Sequence, residues 1–111
     1  MKKIKINTTV NLKSGVSLAS GSIVVIAEGY ADVKNELDGS IPAQVSTLLY
    51  ASEDALASGK SNVTDVLDFE PTFSGLSLSV EDYKTKTAES LLVDAVYSAL
   101  NEIYADNIEV V

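Results

Sequence analysis

The sequence predicts an α+β fold, in which a mostly antiparallel β-sheet or small barrel carries one long C-terminal helix packed against it. Three observations favour this class: a long helical period near the C-terminus, strict alternation of apolar residues near the N-terminus, and short apolar runs separated by glycine-containing turns. At 111 residues, the chain is expected to form one domain over residues 1–111, because this length supports a single core.

The long helix is predicted over 87–104, TAESLLVDAVYSALNEIY. Its apolar residues cover about half of the helix circumference or more, which is wider than packing on one sheet requires. We therefore expect its own sheet to cover one side and a neighbouring subunit to cover another, although a deep sheet around a monomer's helix would also account for the pattern. Five helix residues are the candidate interface, together with both terminal segments: Leu91, Val93, Val96, Leu100 and Tyr104.

Strands are predicted along the first third of the chain. Apolar residues alternate with polar ones over 4–12, which is typical of a strand with one buried face. Gly15 and Gly21 mark turns. The continuous apolar run 23–27, IVVIA, indicates a central strand that is buried on both faces. Gly29 interrupts the continuation of that strand, which predicts a β-bulge or a close backbone approach.

The rest of the chain is predicted as shorter elements. A polar turn centred on Asp38-Gly39 leads into a strand over 43–50, and a short helix over 53–58 begins after the cap Ser52. The segment 62–69 has both helical and strand spacing and is left open. The last elements are a strand through Leu76, Leu78 and Val80, a cap of the long helix at Thr85 or Thr87, a turn at Asp106-Asn107, and a final strand from Ile108.

Composition excludes several classes of function. Sixteen acidic residues against eight lysines and no arginine give a net charge of −8, which repels phosphate backbones, so no direct nucleic-acid partner is expected. The absence of cysteine and histidine excludes disulfides, Cys or His metal sites and His-activated nucleophiles. The longest apolar run is too short for a signal peptide or membrane span, which predicts a soluble protein made in the cytoplasm with no membrane partner.

The acidic segment TDVLDFE offers the best candidate for a metal site, through Asp65, Asp68 and Glu70. Carboxylates suit Ca²⁺ or Mg²⁺, but this spacing matches no calcium loop, and solvated loop acids are the preferred interpretation. Paired carboxylates for glycoside hydrolysis lack tryptophan for sugar stacking. We therefore predict no catalytic residue, no metal, no cofactor and no enzyme activity. Five tyrosines could form a ligand or interface surface, or the rim of the core: Tyr30, Tyr50, Tyr83, Tyr97 and Tyr104.

Three segments carry a family resemblance: VNLKSGVSLASGSIVVIAEGYADV, LLYASEDALASGKSNVTDVLDF and LSLSVEDYKTKTAESLLVDAVYSALNEIY. In style and order they resemble small virion proteins of crAss-like tailed phages that infect Bacteroides-type bacteria. The resemblance implies a structural component of the virion, either an auxiliary capsid protein or a ring protein of the head–tail connector. Its partners would be copies of itself and other virion proteins. The alternative is a small ligand- or carbohydrate-binding module, and an enzyme is the third possibility.

Overall fold

The computed structural model describes residues 2–12, 14–60, 62–63 and 72–111. Seven strands lie within these residues: β1 (Ile4–Ile6), β2 (Val10–Asn11), β3 (Ser17–Leu18), β4 (Ser22–Ala31), β5 (Ser40–Tyr50), β6 (Thr72–Ser79) and β7 (Ile108–Val110). The same residues form three α-helices, α1 (Glu53–Ala57), α2 (Val80–Thr85) and α3 (Ala88–Tyr104), and a 3-10 turn at Val33–Asn35. Among these helices, none has both the length and the apolar character that crossing a membrane requires.

Five strands form one antiparallel sheet in the order β6-β5-β4-β1-β7, and β2 pairs with β3 in a separate hairpin. The larger sheet curls into a half-barrel, and α3 packs on it, which confirms the predicted α+β class. The predicted turn at Asp38-Gly39 is also confirmed. Both residues have positive φ (52° and 82°), the backbone conformation that a tight hairpin turn requires.

The sheet is staggered, so its two ends differ in width. At the end that we call basal, the first part of β4 pairs with the last part of β5 on one side and with β1 on the other, and β7 continues the sheet beyond β1. At the other end, which we call distal, the last part of β4 pairs with the first part of β5, and β6 continues the sheet beyond β5. Within the described residues, the part of β4 that pairs with β1 is its beginning, and the part of β5 that pairs with β6 is also its beginning.

The sheet buries α3 from two sides. The main core joins the basal strands to one side of the helix, through Ile4, Ile6, Val10, Val24, Val45, Leu49, Val93, Val96, Leu100, Tyr104 and Ile108. A second cluster joins β5 and β6 to the opposite side of the helix at Leu91. The wide apolar arc of the helix is therefore explained largely by the curl of its own sheet, the second of the two arrangements that the sequence allowed.

Gly29 shows how closely the helix approaches the sheet. The pairing of β4 with β5 shifts register between Ile26 and Glu28, which is a β-bulge, and a Cβ at Gly29 would collide with the side chain of Leu92 on α3. The close approach occurs at the predicted glycine, whereas the bulge lies two residues earlier, at Ala27. The missing side chain lets the helix reach the backbone of β4.

Two sequence expectations are corrected. The predicted strand over 4–12 is divided between β1 and β2, which belong to different sheets. Ile6 pairs with Ser22, the first residue of β4, so the pairing of β1 with β4 ends there. Val80 does not continue β6 but begins α2. Ser79 caps that helix by accepting a hydrogen bond from the Asp82 N–H at 3.0 Å, a serine–acid spacing that could have predicted it.

Candidate interaction surface

The five predicted interface residues lie inside the chain. Their side chains are between 0% and 7% exposed, and they face the concave side of the sheet. This corrects the assignment: these residues are core of one chain, and not surface that is available to a second chain. The residues are Leu91, Val93, Val96, Leu100 and Tyr104. On α3, the large apolar side chain that remains exposed is Ile103, at 46%.

Eight large apolar side chains are exposed over the described ranges: four are Val16, Ile103, Val110 and Val111, and the other four lie at the distal end. Four large side chains there are 44% to 70% exposed, and we call them the distal cluster: Tyr30, Val33, Leu37 and Tyr83. Tyr30 lies near the end of β4, and the next two residues of the cluster belong to the connection between β4 and β5. Tyr83 lies on α2, directly after β6. The topology therefore brings all four side chains to the same end of the sheet.

Hydrogen bonds hold the backbone of this end in place. Leu37 and Ser40 exchange two backbone hydrogen bonds, of 2.9 and 3.0 Å, across the turn. The Val80 N–H donates to the Gly39 carbonyl at 2.9 Å, which ties the start of α2 to the same turn. Tyr30 pairs with Gln44 in the β4–β5 ladder. Apolar side chains are therefore presented to solvent from an ordered backbone.

A cavity of about 380 Å³ opens beside this end, between the sheet and the start of the long helix. Its lining is mostly apolar: Gly29, Tyr30, Ala31, Leu78, Tyr83, Lys86, Ala88, Leu91 and Leu92. Its volume lies within the range of small-molecule sites. It lies where Leu92 of α3 approaches Gly29 of β4, and Tyr83 of α2 forms part of its wall.

One lysine connects the two C-terminal helices at the rim of this cavity. The Lys86 ammonium lies 3.0 Å from an Asp94 carboxylate oxygen and 3.8 Å from one of Asp82. The hydrogen bond to Asp94, together with the negative charge of Asp82, raises the pKa of Lys86 above its ordinary value. Lys86 is exposed, so its charge positions α2 relative to α3 rather than anchoring the fold.

The other candidate residues are the three acids of the predicted metal site and the five tyrosines. Asp65, Asp68 and Glu70 lie outside the described residues, as does most of the segment 62–69. Over the described ranges, no three potential metal ligands come together. The five tyrosines do not share a surface either. Tyr104 is in the core, Tyr50 and Tyr97 are half-buried, and of the five only Tyr30 and Tyr83 line the distal cavity.

The sequence does not reveal the distal cluster, because two of its members belong to a polar segment that is typical of a turn. Val33 precedes the segment KNELDGS, and Leu37 lies within it. A single leucine among charged and turn-forming residues was the available signal.

No family model, curated protein or solved structure gives a significant match to this chain.

Proposed function

We propose that this chain is a structural component that assembles in many copies by burying exposed apolar surface, and that it performs no catalysis. The distal cluster is the observation that carries the proposal. Burying a large apolar side chain contributes roughly 1.5–3 kcal/mol. Because hydrogen bonds already order the backbone that carries Leu37, association loses little further conformational entropy there.

The sequence resemblance supplies the setting for this assembly. A virion component of a crAss-like tailed phage would work in multiple copies, as an auxiliary capsid protein or as a ring protein of the head–tail connector. Its partners would be other copies of the chain and other virion proteins. The net charge of −8 favours protein partners over packaged nucleic acid.

Light scattering coupled to size-exclusion chromatography tests the assembly. We expect the protein to form an oligomer that Leu37→Glu dissociates, because the new charge would have to be buried without a partner. Thr9→Glu is the matched control, since it adds the same charge at an exposed polar position between β1 and β2, away from the distal cluster. That control should keep the oligomer of the unchanged protein.

Salt gives a second measure of the same assembly. Copies that each carry a charge of −8 repel one another, so raising the salt concentration should strengthen an association held by apolar contacts. A protein that stays monomeric at every concentration and salt level would contradict the proposal. Mass spectrometry of purified virions tests the setting separately, and absence of the chain from the particle would exclude a virion role.

The distal cavity favours a second candidate function, binding of a small apolar ligand. Its mostly apolar lining, with the polar groups of Tyr83 and Lys86 beside it, has the chemistry of such sites. Calorimetric titration with octanoate tests this candidate. Saturable binding by a persistent monomer would favour the ligand-binding module over the structural component.

A further inference from the structure

β6 presents one side of its backbone to a groove rather than to another strand. In the part of the chain that the structure describes, β6 pairs only with β5 and is an edge of the sheet. The Val80 N–H bonds to the Gly39 carbonyl, and Leu78 pairs with Ile41, so alternate residues of β6 face β5. Ser77 has the opposite phase, and Thr72 has it too, because the β5–β6 pairing shifts register by one residue of β6 between Ala43 and Val45. Their backbone N–H and C=O groups therefore point away from β5.

A groove follows this edge between β6 and α3. Its larger part has a volume of about 470 Å³, and an adjoining part of about 140 Å³ continues past Ser77 toward α2. Five consecutive residues of β6 line the larger part, from Phe73 to Ser77, as expected where a cavity follows a backbone edge rather than one face of a strand. The opposite wall carries small side chains of α3: Ala95, Ser98 and Ala99.

The charged groups around this groove are mainly acidic. Asp82, Asp94 and Glu102 line it, and Lys86 is the basic residue in the lining. Lys86 is already paired with two of these carboxylates, through a hydrogen bond to Asp94 and an ion pair with Asp82. Glu102 forms no ion pair within the described residues. The border therefore favours a neutral or basic occupant.

We propose that the β6 edge accepts an extended segment of a different polypeptide, neutral or basic in charge and with small apolar residues at alternate positions, which adds a strand to the sheet. The unpaired backbone groups at the edge of β6 select an extended chain. The small side chains on the facing wall of α3 leave room for one strand. The acidic residues at the border of the groove disfavour an acidic segment. This inference rests on the proposed structural role and names a class of partner for it. A second copy of the chain fits less well, because it would bring its charge of −8 to an acidic border.

The test uses the full chain labelled with ¹⁵N and a capped octapeptide in which valine alternates with serine and lysine. We expect saturable binding that shifts the amide signals of Ser77 and Thr72. Replacing the lysines of the peptide with glutamate should weaken binding. Methylating the backbone nitrogens on one edge of the peptide should abolish it, because those N–H groups would pair with β6.

Two protein variants locate the site. Ser77→Pro removes an N–H that does not bond to β5, so the sheet should persist. The affinity for the peptide should fall at least about tenfold. Ser77→Thr, which keeps the N–H, is the control. Ser98→Phe fills the groove from the exposed side of α3 without changing β6, and Ser98→Ala is its control. Full affinity in both Ser77→Pro and Ser98→Phe would overturn the proposal.

The two proposals can fail separately. Leu37→Glu should dissociate the oligomer and leave peptide binding unchanged, whereas Ser98→Phe should abolish peptide binding and leave the oligomer unchanged. If Ser98→Phe instead dissociates the oligomer, the groove pairs copies of this chain and the assignment to a different polypeptide is overturned. Binding of the acidic peptide as tightly as the basic one would likewise overturn the predicted charge of the partner.

Discussion

The two ends of β4 have opposite surroundings although they belong to one strand. Residues from Ser22 to Val25 are buried, while Glu28, Gly29 and Tyr30 are exposed. At the basal end, β1 and β7 extend the sheet and α1 contacts β4 and β5, so both faces are covered. At the distal end, the residues that the structure describes cover only the face toward α3. The basal end therefore contributes buried contacts to the fold, whereas the distal end leaves side chains of β4 exposed.

This difference predicts where substitutions act. A change at the basal end removes buried contacts, so it should lower the free energy of unfolding of the single chain. A change at an exposed distal residue such as Leu37 removes few contacts within the chain, and the free energy of unfolding should change by no more than about 0.5 kcal/mol. Its effect should instead be measured in association.

The largest expected effect is that of Val96→Asp. Val96 is 0% exposed and packs in the main core, so the variant must either bury a carboxylate without a partner or expose the core. We expect a loss of more than about 4 kcal/mol, which is a large part of the stability of a domain of this size. Circular dichroism and thermal melting measure it.

Ser98→Asp is the control for that variant, because it places the same charge on the exposed side of the same helix. It should melt close to the unchanged protein. Equal melting of both variants would mean that α3 does not hold the basal end together.

A smaller effect is expected where the two regions meet, at Gly29. Alanine there would place a methyl group into the side chain of Leu92, and overpacking of this kind costs about 1–3 kcal/mol. Leu92→Ala removes the obstructing atoms. Urea unfolding of both single variants and the double variant should show that Gly29→Ala costs less in the Leu92→Ala background. Strict additivity would contradict the close approach of α3 to β4.

Much of the fold follows from local pattern. The helical period predicted α3 within a residue of each end, and its cap is Thr87, whose hydroxyl accepts from the Ser90 N–H at 3.2 Å. Ser52 caps α1 as predicted. The interruption at Gly29 predicted a bulge or a close backbone approach, and the close approach is found at that residue. The helix, its caps and the interruption at the glycine depend on backbone preferences and on residues that are close in sequence, so the pattern of a single sequence can predict them.

The surface could not be predicted in the same way, because it depends on which strands are neighbours. The apolar arc of α3 indicated burial on two sides, but the sequence does not state that β6 and the basal strands belong to one curled sheet. Leu91 and Val96 were consequently assigned to a partner. The exposed Leu37 was overlooked, since a lone apolar residue in a turn has no periodic signal.

The smallest expected effect concerns a buried hydroxyl at the basal end. Ser22 is 0% exposed, and its hydroxyl has no hydrogen-bond partner over the described ranges. Leaving a buried polar group unpaired is unfavourable, so Ser22→Ala should raise the free energy of unfolding by up to about 1 kcal/mol. Ser46 on β5 is the contrasting position, since its hydroxyl lies 3.4 Å from that of Thr72. Ser46→Ala should leave stability unchanged or lower it slightly. Thermal melting of the two variants checks the opposite signs, and a loss of stability in Ser22→Ala would show that its hydroxyl is satisfied after all.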